Sequence, residues 1–406
     1  RSPVIVSFKR TAIAPFNGSL SSVGAPALAS ATISSQLASL AESSSGKFTA
    51  ESIVDVTLGN VVSSGIGQAP ARQAWKGAGG HNGAHFTSPV GQCTTINKVC
   101  ASGMKAAMYA SQNIMLGSGP QLAGGFESMS NIPHYLPAMR TGMKLGPSQV
   151  IDGIINDGLW DVYNNQHMGM CGEKCAEDYG ITREDQDAYA VESYRRANTA
   201  IEAGKFKDEL AQIADVTVKS RRGDTVVNED AEPTNFNVDK MGSLRAAFKK
   251  ENGTVTAANA SSLNDGAASM VMMSEEDAAA FGLTPIARVL GFGDAEQAPE
   301  DFTTAPALAV PRALAHAGVS LSDVDYHEIN EAFSVVALAN MKLMDLDHSR
   351  VNVNGGAVAL GHPIGCSGAR IIGTLINVLK QNDATIGCAS ICNGGGGASA
   401  LIVERM

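Results

Sequence analysis

Apolar residues along the chain fall into short β-branched runs separated by longer stretches rich in Ala, Ser, Leu and Met, the alternation expected of sheets covered by helices. Residues 4–8 read as a first strand, 25–40 as a helix and 54–62 as a second strand. Glycines punctuate residues 65–83 and predict a loop around a short helical piece at 70–75. Residues 101–116 favour helix and 121–123 a short strand, while Gly124 to Met129 reads as a turn.

From about residue 131 the texture changes to prolines, methionines and Asp/Gly pairs. A charged helix at 182–204 follows, opened by a Thr182-Arg183-Glu184-Asp185 cap. This stretch reads as an inserted excursion, because apolar, Gly-rich sequence returns at 254–273 and the last third then resembles the first. Residues 54–60 line up with 324–330, and Cys100-Ala101-Ser102-Gly103-Met104-Lys105 with Gly365-Cys366-Ser367-Gly368-Ala369-Arg370. Asn330 follows Asn60 by 270 positions and Ser367 follows Ser102 by 265, as a duplicated βα half would. Ligands of such folds gather where strands end and helices begin, so the two helix starts are expected to face one site.

Composition narrows the class. A chain of 406 residues exceeds what one core usually fills, so two or more domains are expected. With 44% hydrophobic and 17% charged residues and 43 glycines it reads as a compact Gly/Ala-rich enzyme. Seven cysteines without a framework point to a reducing compartment. Cys171 and Cys175 lack a second Cys or His pair at zinc spacing, so no metal is expected there. A net charge of −10 argues against a nucleic-acid surface, and the lack of an apolar run of about 18 residues against a membrane span. The chain opens at once on a strand, with no presequence expected within it. Lys219, Arg221, Arg222, Lys240, Arg245, Lys249 and Lys250 crowd one region, which is either a solvated face or an anion-binding rim.

Four segments carry candidate chemistry. In Asn97-Lys98-Val99-Cys100-Ala101-Ser102-Gly103-Met104-Lys105 the cysteine should stand at a helix N-terminus, where backbone N–H groups lower a thiol's pKa. Taken alone, the stretch favours a buried cysteine acting as a small hydrophobe. Asn330, directly after a strand, either caps the next helix, which is the commoner use, or holds a water. His362 sits among glycines and a proline just ahead of a helix opening at Ser367. Cys392 precedes four glycines, Gly394 to Gly397, that expose backbone N–H groups. Neither GxGxxG nor GxxxxGK[ST] is present, so dinucleotide and nucleoside-triphosphate readings fail on motif. Two cysteines and a histidine on glycine-framed turns suit nucleophilic acyl chemistry.

Together the Cys100 segment, Asn330-Glu331-Ala332-Phe333, Gly361-His362-Pro363-Ile364-Gly365 and Cys392-Asn393-Gly394 resemble the four active-site motifs of the thiolases. The resemblance covers essentially the whole chain, and at 161–169 and 251–261 is greatest to mitochondrial acetoacetyl-CoA-type members. It implies an α/β thiolase fold, an αβαβα sandwich of two similar βα halves: 1–127 with 248–275, and 276–406. Residues 128–247 would form a loop domain for coenzyme A binding and oligomerisation. The implied reaction is the reversible condensation of two acetyl-CoA to acetoacetyl-CoA and CoA, with 2-methylacetoacetyl-CoA as a further candidate substrate. Cys100 would be the acyl-accepting nucleophile, His362 its base and Cys392 the second acid/base. One oxyanion hole would pair His362 with a water on Asn330, the other the N–H groups of Cys100 and Gly394.

The resemblance further places His167, Met168, Phe248, Ala257, Ser261 and Phe333 along the pantetheine tunnel and Lys240 near the nucleotide, and includes Tyr194 among the coenzyme A contacts. Tyr194 with Ala257, Ala258, Ala260 and Val358 would hold potassium. It implies no covalently bound cofactor, a homotetramer built as a dimer of dimers, and the mitochondrial matrix, with the cytoplasm as the alternative. Thr234-Asn235-Phe236-Asn237 lacks the arginine such enzymes commonly place beside adenine, and Arg221 or Arg222 is the candidate substitute. The runner-up is a broad-range 3-ketoacyl-CoA thiolase. A non-catalytic CoA- or lipid-binding relative would be expected to lack Cys100, His362 or Cys392, and all three are present.

Overall fold

The computed structural model describes residues 1–79, 92–209, 216–220 and 223–406. The main sheet runs through nine strands: β1 (Pro3–Arg10), β2 (Asp55–Gly59), β3 (Gln92–Ile96), β4 (Gln121–Ser128), β5 (Asn264–Ser274), β6 (Ala287–Glu296), β7 (Tyr326–Ile329), β8 (Ile386–Asn393) and β9 (Gly397–Arg405). Their order is β7-β8-β9-β6-β1-β5-β4-β2-β3, with the two-residue Ala14–Pro15 strand attached to β5. The first half, β3-β2-β4-β5-β1, is repeated by the second, in which a single bridge between His327 and Val351 replaces the outermost strand. β8 begins 265 positions after β4, the offset seen in the sequence. The halves join where β1 meets β6, through Val4 opposite Arg288 and Ile5 opposite Ala287.

Helices α1 (Ala25–Ser43) and α2 (Pro70–Ala78) cover the outer face of the first half, and α6 (Pro306–Ala317) that of the second. Between the halves lie α3 (Ser102–Met115) and α8 (Ser367–Gln381), each touching strands of both. The layers are therefore helix, sheet, helix, sheet, helix. α3 and α8 approach this closely because Gly103 and Gly368 face each other: a Cβ on Gly103 would lie 2.7 Å from Ala369 N, and one on Gly368 2.5 Å from Met104 N.

The predicted turn at 124–129 is instead the end of β4, which runs to Ser128. Its glycines serve close approach, since a Cβ on Gly124 would meet the Ala268 carbonyl oxygen at 2.3 Å and one on Gly125 would overlap the Gly365 carbonyl. Between β4 and β5 the excursion carries α4 (Met168–Tyr179), α5 (Arg183–Glu202) and short two-stranded ribbons. Thr182 and Asp185 form the reciprocal cap foreseen for α5. Beyond the sheet, α7 (Ser334–Met344) packs on α4, α5 and α6. Of the basic cluster, Lys249 pairs with Glu177 at 3.2 Å and Lys219, Lys240, Arg245 and Lys250 are exposed, whereas Arg221 and Arg222 lie outside the described residues.

Candidate active site

β3 feeds a tight turn that places Cys100 two residues ahead of α3. Val99, a β-branched residue, is held at φ +46°. Backbone in that region costs on the order of 1–3 kcal/mol for such a side chain and persists only when surroundings enforce it. Here they do: the Val99 N–H donates to Asn97 Oδ1 (2.9 Å), and the Val99 carbonyl accepts from Ser102 Oγ (2.6 Å). The turn aims the sulfur at its own N–H and at that of Gly394. Burial nevertheless pushes the thiol up to about 12, with the Gly394 and Cys100 N–H groups opposing and the Glu127 charge adding to the rise. The lowered pKa expected from the helix terminus is therefore not what the resting site has. Desolvation in an apolar cavity outweighs two backbone dipoles.

His362 follows Gly361, whose φ of +100° and contact with Asn264 leave no room for a side chain: a Cβ would lie 2.4 Å from the Asn264 amide carbon. The Asn264 Oδ1 accepts the His362 N–H at 2.9 Å. Nδ1 of His362 lies 2.6 Å from Ser367 Oγ, and that hydroxyl donates its proton to the Pro363 carbonyl at 3.1 Å. Nδ1 must then carry the hydrogen, leaving Nε2 as a bare lone pair. Nε2 is buried without a partner among the described residues. Burial, with help from the nearby Arg370, pushes this imidazole down to about 3, so it is neutral at physiological pH.

Cys392, near the end of β8, is fully buried. Its pKa is driven well above the ordinary thiol range by burial and by the neighbouring Cys100. Asn330 lies one residue past β7, with both side-chain amide atoms buried and without a partner among the described residues. It does not cap the next helix, because Phe333 stands at the N-cap of α7. A buried carboxamide with two orphan atoms fits the water-holding alternative.

Cys100 and His362 meet at an apolar cavity of about 470 Å³. Cys100, His362 and Gly394 line it, as do His167, Met168, Phe248, Ala257, Ser261 and Phe333. His167 stacks on Phe248 with ring centroids 4.6 Å apart, and burial lowers its pKa. Cys392 packs in one cluster with Met168 and Phe333. Tyr194 and Lys240 are not part of this wall. Tyr194 stacks on Phe236 at 4.0 Å and packs with Ala258 and Val358, while Ala260 reaches the cavity. Cys171 and Cys175 pack in the apolar cluster of α4. No helix among the described residues is long and apolar enough to cross a membrane.

A neutral imidazole with an open nitrogen, a thiol and paired backbone N–H groups at an apolar cavity, with a second thiol beside them, can transfer an acyl group to sulfur. Residues 3–276 match the thiolase N-terminal domain and residues 283–405 the thiolase C-terminal domain. The chain belongs to the thiolase family. Acetyl-CoA acetyltransferase 2 of Arabidopsis thaliana is 51% identical over 407 residues, covering 100% of this chain and 98% of that protein. A cytosolic acetyl-CoA acetyltransferase of Gibberella zeae is 50% identical over 99% of this chain and 98% of its own length. The crystal structure of the Acat5 thiolase of Ascaris suum in complex with coenzyme A superposes with a TM-score of 0.88 at 41% identity, covering both chains completely.

Several functional positions of this thiolase escaped the sequence reading. Asn264 and Ser367 hold His362, Asn97 holds the Val99 turn, and Glu127 lies within electrostatic reach of Cys100. A glycine before the histidine and a serine five residues after it were the available signals; for Glu127 the signal was the repeat offset of 265, which sets it opposite Cys392. At the missing adenine arginine, Phe236 turns inward against Tyr194.

Proposed function

We propose that this thiolase is an acetyl-CoA C-acetyltransferase, condensing two acetyl-CoA to acetoacetyl-CoA and CoA and running the reverse thiolysis. The observation that carries the reading is the convergence of the Cys100 thiol, the open Nε2 of His362 and the Gly394 N–H on one apolar cavity. His362 takes the Cys100 proton as the sulfur attacks the acetyl-CoA carbonyl, and the N–H groups of Cys100 and Gly394 receive the developing oxyanion. The departing CoA thiolate takes a proton from Cys392. The resulting Cys392 thiolate removes an α-proton from the second acetyl-CoA, whose enolate oxygen is met by His362 and a water on Asn330. The enolate carbon attacks the acyl group, and Cys100 leaves and recovers its proton from His362.

Residues 128–247 are read as the loop domain that grips coenzyme A and joins a homotetramer, and exposed Met139, Met143, Leu145 and Val150 support an assembly role. Potassium fits the set Tyr194, Ala257, Ala258, Ala260 and Val358, since the half-buried Glu232 and the buried Glu331 both act on Tyr194 and favour a cation beside it. A large monovalent ion suits carbonyl ligands. The matrix or the cytosol is the compartment, one relative being named cytosolic.

Met168, Phe248 and Phe333 line the cavity and fill space a long acyl tail needs. Thiolysis kcat/KM for 3-ketopalmitoyl-CoA should then be at least ~100-fold below that for acetoacetyl-CoA, about 2.7 kcal/mol of transition-state binding. Rates should also be higher in potassium than in sodium at matched ionic strength, with light scattering on the same sample giving a tetramer. A chain-length profile that is flat or rising would make the broad-range 3-ketoacyl-CoA thiolase the right reading.

A further inference from the structure

The duplication that builds the fold also duplicates the site. The offset that relates β4 to β8 places Glu127 at the position of Cys392, Asn97 at that of His362 and Gly365 at that of Cys100, while Asn60 and Asn330 each stand one residue past the equivalent strands β2 and β7. The three first-half counterparts, Asn60, Asn97 and Glu127, and the second-half Gly365 are joined by hydrogen bonds, Asn97 through Val61. Glu127, 1% exposed, accepts from Asn60 Nδ2 (2.8 Å), the Val61 N–H (3.0 Å), the Val62 N–H (3.3 Å) and the Gly365 N–H (3.0 Å). No nucleophile fits there, since a Cβ on Gly365 would lie 2.8 Å from the Glu127 carboxylate.

From this carboxylate two hydrogen-bonded routes lead to the reacting groups. One runs through Val61, whose carbonyl accepts from Asn97 Nδ2 (3.0 Å), to Asn97 Oδ1, which holds the strained Val99 turn ahead of Cys100. The other runs through the Gly365 N–H into the turn that carries His362. We propose that Asn60, Asn97 and Glu127 form a non-reacting mirror of the catalytic centre, in which the Glu127 carboxylate is a positioning residue that sets the nucleophile turn and the base turn in register. Burial pushes the Glu127 carboxyl up to about 8, and the Val61, Val62, Gly365 and Asn60 N–H donors oppose that rise by favouring the carboxylate. The inference rests on the acyl-transfer reading of Cys100 and His362.

The test compares wild type with E127Q, E127D and N97A in steady-state thiolysis of acetoacetyl-CoA, in the pH dependence of Cys100 alkylation by iodoacetamide, and in thermal melting. E127Q turns an NH₂ group toward N–H donors, so kcat should fall about 100-fold, the effect of a small misplacement of reacting groups, with KM within about threefold. Loss of the charge should at the same time shift Cys100 alkylation to lower pH, easier ionisation beside slower turnover, a combination that mere destabilisation does not give. E127D keeps the charge and should recover part of kcat with the alkylation profile unmoved. N97A leaves the carboxylate in place and should lose at least ~10-fold in kcat with no pH shift. Folded E127Q with kcat within threefold of wild type and an unmoved alkylation profile overturns the proposal. If E127Q does not fold, N97A with wild-type kcat overturns it. Wild type that lacks thiolysis altogether would instead overturn the acyl-transfer reading.

Discussion

Ser367 decides what His362 can do. Its hydroxyl bonds Nδ1 at 2.6 Å and leaves Nε2 as the acceptor, so the tautomer is set from behind the ring, as an orienting partner sets a metal-bound or catalytic imidazole elsewhere. Ser367→Ala removes that partner and leaves the Nδ1 hydrogen unmatched in a buried setting. The expected outcome is a 10- to 100-fold fall in kcat, about 1.4–2.7 kcal/mol, with KM held within threefold. Steady-state kinetics on folded variant check it, and a loss below threefold would remove Ser367 from the machinery. His362 itself was legible in the sequence because glycines and a proline isolate it. Its protonation state was not, since Asn264 and Arg370 come from other elements.

At the scale of elements, the crossing of α3 and α8 in the central layer brings the two halves onto one site. Ser102 and Ser367 open the two helices, and Gly103 and Gly368 let their backbones touch. Gly368→Ala would thrust a methyl to 2.5 Å from Met104 N, where the neighbour is backbone and cannot yield. Such overpacking costs roughly 1–3 kcal/mol, and the bias here is toward the upper end. Chemical denaturation should therefore show a loss of at least ~2 kcal/mol, and an unchanged midpoint would mean that the helices separate freely. The periodicity foretold both helices and the repeat that relates them. It misplaced the end of β4, because Gly124-Gly125 is a turn signal locally and a close-packing requirement in the fold.

For the whole molecule, one contribution to acid stability comes from histidines that folding keeps neutral. Burial lowers His327 to about 4 and His362 to about 3, whereas an unfolded histidine titrates near 6.5. At these two positions the unfolded chain binds the extra protons, and the stability they contribute, complete above pH 6.5, drains away as the pH falls toward 4. His327 lies outside the catalytic cavity, so His327→Gln should weaken this dependence without touching the chemistry. The stability difference between pH 7.5 and pH 5 should shrink by about 2 kcal/mol in denaturation curves, and an identical pH dependence would contradict the origin assigned to it. What the amino-acid order determined by itself was local: the four motifs, the cap at Thr182, the helical and strand periods and the spacing of the duplicated half. The motifs, the cap and the periods depend on neighbours within a few residues, and the duplication is read by comparing such local patterns with one another. Only the tertiary structure decided that Cys100 rests as a thiol at about 12, that the Asn330 side chain has no partner among the described residues, and that Glu127 ties together turns that are 238 residues away from it at one end and 65 or 66 at the other. Desolvation and hydrogen bonding across that separation exist only once two halves have closed on one another, and no local pattern encodes them.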